Sequence, residues 1–230
     1  MFHSKFPLIA ACVALSITAS AQTSRAQSPR EILMSAAFNT PAKPAALAKV
    51  GAAIQASSAI LAQSPGDREA KLQHGIAVGY RGQLKRGLPD VQAARRTFDA
   101  LAVSYPRDAE IQMALAGWHL GAIIEIGPLM ARTLGARRAS GLQALDRSVA
   151  LGGGRAFFPA YASMLRIRLN PKDIAGAQKL AEAAVKASAP TPVDRLTQKQ
   201  AASLLTSLRA GNGKASAALA KKMMPFGKFS

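Results

Sequence analysis

Cysteine occurs once in the 230 residues, at Cys12, inside an apolar N-terminal stretch. The rest of the chain has neither a disulfide nor a thiol with which to work. Aromatic residues are only 5% of the sequence, so a core must be built from Ala, Leu, Ile and Met. Small side chains at that density suit closely packed helices, and no sustained alternation of apolar and polar residues points to strands. Acids are scarce, 12 against 30 Lys and Arg, which leaves a net charge of +18. Such an excess attracts anionic surfaces or polymers without naming one. Histidine is nearly absent: beyond His3 there are only His74 and His119, too few for a metal centre in a chain so poor in cysteine. No H-E-x-x-H, G-x-S-x-G or phosphate-binding loop occurs. The expectation is therefore a protein that is not an enzyme and carries no cofactor.

The N-terminus reads as an export signal. Lys5 supplies the positive start, residues 6–18 are mostly apolar, and Ala19-Ser20-Ala21 offers small residues for cleavage, with a second choice after Ala26. Residues 1–26 are assigned to a signal peptide, which implies an exported, periplasmic protein. Ile9-Ala10-Ala11-Cys12 faintly resembles a lipoprotein box, but the apolar run before Cys12 is short and continues past it. Lipid anchoring through Cys12 is the less favoured reading. Residues 27–44 are expected to form an exposed N-terminal segment, and residues 45–230 the helical domain.

That domain is organised around residues 95–121. Ala94, Phe98, Leu101 and Ala102 recur at helical spacing; Pro106 cannot extend their helix, and Asp108 can cap the next, where Leu115, Trp118 and His119 recur. Two helices joined by so short a turn lie antiparallel and share an apolar face. Ser64-Pro65-Gly66-Asp67 has the same form as Tyr105-Pro106-Arg107-Asp108. Further helices are expected over 30–38, 45–62, 109–124, 140–151, 157–169, 174–187, 194–210 and 214–224. Residues 82–89 and 127–139 are read as extra segments between helices. Ser148, Ala184 and Leu219 stand close to the ~34-residue spacing of a helical repeat.

Ala94-x3-Phe98 followed by Pro106, Phe158-x2-Tyr161-Ala162-x2-Leu165 and Ala177-x3-Ala181-x2-Ala184 resemble parts of the tetratricopeptide-repeat pattern. The chain resembles that superfamily in degenerate form over residues 45–224. More narrowly, its exported long-helix layout and the Gly117-Trp118-His119-Leu120-Gly121 helix resemble the periplasmic helical-repeat partners of TRAP-type solute transporters. The resemblance implies an all-α, right-handed solenoid of antiparallel helix pairs, with first helices lining a concave side.

It also implies a protein-binding or assembly module. The alternative is a periplasmic transport accessory that binds a small anionic ligand. The expected partner is a protein or peptide; a small anionic ligand, an anionic membrane surface or polysaccharide are the others weighed. Nucleic acid is not expected, because the basic pairs Lys85-Arg86, Arg95-Arg96, Arg137-Arg138 and Lys221-Lys222 are dispersed, aromatics are few, and the signal sends the chain away from the cytosol. Tyr80, Trp118, His119, Glu125 and Arg166 are the candidate binding residues. Trp and Arg often dominate interface energy. Trp118 reads equally as the largest core residue of an Ala-rich stack, and His74 and His119 as structural histidines. Glu125 sits among isoleucines, where a charge needs a partner, and Arg132, Arg137 and Arg138 are the expected ones. Gly152-Gly153-Gly154 is expected to end one helix and start another rather than to hold an anion.

Overall fold

The computed structural model describes residues 27–229. The expected signal peptide and the lipid-box reading of Cys12 lie outside the described residues. Among those residues the fold is entirely helical, apart from one isolated parallel bridge between Arg155 and Ser188. The helices are α1 (Pro29–Met34), α2 (Lys43–Gln63), α3 (Arg68–Lys85), α4 (Leu88–Ser104), α5 (Ala109–Thr133), α6 (Arg138–Leu151), α7 (Phe157–Leu169), α8 (Ile174–Lys186), α9 (Pro192–Arg209) and α10 (Gly213–Met223). A π-helical turn, Ser35–Asn39, follows α1, and a 3-10 turn, Gly227–Phe229, follows α10.

Local chemistry explains most of the boundaries. Asp67 accepts from Ala70 N–H at the start of α3, and Asp108 accepts from Glu110 and Ile111 N–H at the start of α5. Ser28 with Glu31 and Thr191 with Asp194 form reciprocal capping boxes. The turns expected at Pro65 and Pro106 are therefore present and capped. Residues 82–89 are not an extra segment: α3 runs on to Lys85, and Arg86 ends it in the left-handed conformation at φ 56°. The interruption expected near Pro128 is a kink, not an end. Gly127 sits at φ 80° and ψ 159°, outside helical space, and the chain then resumes its helix to Thr133. The Gly152-Gly153-Gly154 run does close α6, with Gly153 and Gly154 both at positive φ.

Helices adjacent in sequence pack on one another throughout. The pairing of α3 with α4 shows why so little aromatic bulk suffices. Gly75 faces the Phe98 ring, Gly79 faces Ala94 and Gly82 faces Val91, a constant antiparallel register in which each glycine makes room for its partner. Ala46, Ala53, Ala77, Ala94, Ala116 and Ala160 are fully buried, so the backbones approach closely. Residues 27–44, expected to be exposed, are folded into the body: Leu33, Ala36 and Ala37 join Ala46, Val50 and Ala77 in one apolar cluster. That cluster also contains Phe226, whose N–H donates to Ala37 O at 3.0 Å, while Lys228 Nζ donates to Phe38 O at 2.8 Å. The two ends of the described chain therefore meet, a contact that an open-ended stack does not make. By length and composition alone, α2 and α5 are apolar enough to cross a membrane. Here α2 is packed with α3, and α5 with α6.

Ion pairs tie the starts of several helices together. Glu110, in the first turn of α5, lies 2.6 Å from Arg30 of α1, 3.1 Å from Arg155 ahead of α7 and 3.6 Å from Arg68 of α3. Arg30 also holds Glu69, and Arg68 pairs with Asp108. Arg155 continues the chain to Asp194, 0% exposed, in the first turn of α9.

Candidate functional site

The five candidate residues fall into different environments. Trp118 is 9% exposed; its Nε1–H donates to Val91 O at 2.8 Å, and Arg95 lies over its ring. It packs in the cluster of Leu72, Phe98, Leu101 and Ile111, so the core alternative describes its position. His119 is buried beside it, and its Nδ1 accepts from Arg137 N–H at 3.2 Å. Burial, with help from Arg95, lowers the His119 pKa, which keeps this acceptor neutral. His74 is likewise held below its ordinary value, mainly by burial, with Nδ1 against the Ser57 and Ser58 hydroxyls.

Arg166 lies 2.9 Å from Asp146 and 3.4 Å from Asp173, an ion-paired position at the end of α7. Glu125 is exposed and pairs with Arg168 at 2.5 Å, not with Arg132, Arg137 or Arg138. The reason is spatial. Beyond Glu125 the Gly127 kink redirects α5, while Arg168 on α7 stands across from it. Tyr80 is half-buried with its ring edge-on to Phe226, centroids 4.9 Å apart.

A hollow of about 360 Å³ joins one of these residues, Glu125, to others outside the candidate set. It is lined by Ile124 and Glu125 of α5, Arg168 of α7, and Ala217, Ala218 and Lys221 of α10. Arg168 is two helical turns from Tyr161 on one face of α7, and Tyr161 is one turn from Phe157, ring centroids 5.6 Å apart. Phe157 and Tyr161 are half-buried against the core and the Arg168 side chain is 9% exposed, whereas Phe158 next door is fully buried. Gly117 of α5 lies beside the Tyr161 ring, with room for a Cβ at 4.0 Å from it. Burial pushes the Tyr161 phenol up to about 12, against the opposing pull of Arg168. Burial raises the Tyr80 phenol too, with the neighbouring Tyr161 adding to the effect. Both phenols are neutral hydrogen-bond donors at ordinary pH. Lys221 has no carboxylate within ion-pair distance among the described residues, so the hollow carries a cation beyond the Glu125–Arg168 pair.

The signal for this face was present as Phe157-x3-Tyr161-x6-Arg168, three groups at helical spacing. Only the meeting of α5, α7 and α10 distinguishes it from an ordinary core stripe.

No protein-family model matches the chain. No curated protein and no solved structure matches it either.

Proposed function

We propose that this protein is an exported, non-enzymatic binding module, built as a degenerate tetratricopeptide-like array of helix pairs. Its binding face is the α5–α7–α10 hollow. The observation that supports this reading is the half-buried stripe of Phe157, Tyr161 and Arg168 on α7, whose Arg168 lines the hollow beside Glu125 and Lys221. Rigid aromatic rings beside an arginine are what a protein or peptide segment uses as anchors. Both signs of charge at the rim give such a segment direction.

The test is capture from the exported fraction with the purified chain and a Tyr161→Phe, Arg168→Gln variant. The first change removes only a hydroxyl; the second removes the charge opposite Glu125. Loss of the captured partner by more than about tenfold, with the helical circular dichroism signal retained, is the expected result. Equal capture by both proteins would sink the assignment. The unpaired Lys221 favours a second reading, a small anionic ligand in the same hollow. Under that reading, a carboxylate compound protects the wild type against thermal unfolding and does not protect Lys221→Gln.

A further inference from the structure

A second surface lies where α5 turns outward. On either side of the kink at Gly127, Ile126, Leu129 and Met130 are 45%, 78% and 59% exposed. This is not a fraying end. Ala131 and Ala136 are buried in the cluster around Trp118, Ala136 N–H donates to Ala131 O at 2.9 Å, and Arg95 Nη1 donates to Leu134 O at 3.0 Å. The fold grips one side of the turn and holds the apolar side outward. Leu88, 55% exposed, stands in the first turn of α4, one turn before the Val91 carbonyl that Trp118 holds.

Apart from Glu125, which is paired to Arg168, the charges named here are cations. Lys85, Arg86, Arg132, Arg137 and Arg138 are all exposed, and none has a carboxylate within ion-pair distance among the described residues. Between Glu125 and Asp146 the sequence contains no acid at all. Long aliphatic side chains ringed by unpaired cations match a lipid surface, which supplies apolar depth and phosphate charge together.

We propose that Ile126, Leu129 and Met130, with Leu88 and the surrounding Lys85, Arg86, Arg132, Arg137 and Arg138, dock the protein onto an anionic membrane surface. The aliphatic side chains enter below the headgroups, and the guanidinium and ammonium groups bind lipid phosphates. The body of the protein stays in water, because the docking segment is a single turn.

Co-sedimentation of the full chain with lipid vesicles tests this. Vesicles rich in phosphatidylglycerol bind the wild type in a salt-sensitive way, and pure phosphatidylcholine vesicles bind it far less. Leu129→Glu with Met130→Glu lowers binding to the anionic vesicles by more than about tenfold, as does Arg132→Glu with Arg138→Glu. Val103→Glu, at an exposed apolar site at the far end of α4, leaves binding unchanged. Binding by the Leu129/Met130 variant equal to wild type overturns the proposal. So does failure of the wild type to bind either vesicle, which assigns the patch to a protein partner instead. A Leu129→Trp variant gives an independent readout. Its emission shifts to the blue on anionic vesicles above the background of the buried Trp118, and an unshifted spectrum counts against docking.

Discussion

Glycine has opposite roles at two positions on neighbouring helices, Gly121 of α5 and Gly141 of α6. A Cβ at Gly141 would meet Leu120 Cδ2 at 2.6 Å and His119 Cβ at 3.0 Å, whereas one at Gly121 meets nothing within 4 Å. Gly141→Ala therefore destabilises the fold by about 1–3 kcal/mol through overpacking between α5 and α6. Gly121→Ala, inside α5, stabilises by about 0.5–1 kcal/mol because helical alanine loses less backbone freedom. Urea denaturation of the two variants checks the contrast, and a stabilising Gly141→Ala would show that these helices do not pack as described. At this scale the sequence was a partial guide. Phe98 and Leu101 are buried as their spacing implied. The spacing of Trp118 and His119 was equally clear, yet it could not say that Val91 O and Arg137 N–H would meet their polar atoms. Those contacts come from other helices, and a period within one helix carries no information about them.

Helices were the most legible level, because caps and breakers act within a few residues. Asp67, Asp108 and Pro106 set boundaries that the structure keeps. The ion pairs between helix starts were less legible, although Asp67-x-Glu69 and Asp108-x-Glu110 repeat the same short pattern. Acids in a first turn are favoured by the helix dipole anyway, so the pattern alone did not reveal Arg30 and Arg155 as bridges. Their consequence is measurable. Burial pushes the Glu110 carboxyl up, but Arg30, Arg155 and Arg68 outweigh it and hold it below the ordinary carboxylate range. Burial also raises Asp194, and the Thr191 hydroxyl, the Phe157 and Thr191 N–H groups and Arg155 more than reverse this. Both groups have lower pKa values folded than unfolded, so their stabilisation is present above the unfolded value of about 4 and is lost as pH falls through the folded one. Thermal midpoints should fall as pH drops below about 4, and Glu110→Gln should flatten that fall. An identical acid profile in Glu110→Gln would show that the pairs contribute nothing.

The whole molecule is where sequence reading reached least, because its two ends are joined by few contacts. Phe226 is 4% exposed at φ 61°, a conformation that a bulky residue adopts only when its surroundings fix it. It packs on Tyr80 and Phe229 and donates to Ala37 O. Phe226→Ala should cost about 3–5 kcal/mol. Amide exchange should show α1 and α10 losing protection together, although they stand at opposite ends of the sequence. Loss confined to the last residues would mean that the end contact is incidental.

The contact between Phe226 and Ala37 also bears on how such a chain can change in length. A stack with free ends can gain or lose a helix pair at its margin, since each unit touches only its neighbours. Here the first and last of the described elements are each other's neighbours. Adding or deleting one pair would part them and expose an apolar seam at Leu33, Ala36 and Phe226 together. Closure thus ties the number of described helices, and variation in this protein should appear in the turns between them, such as the one at residues 105–108, not as whole pairs gained or lost.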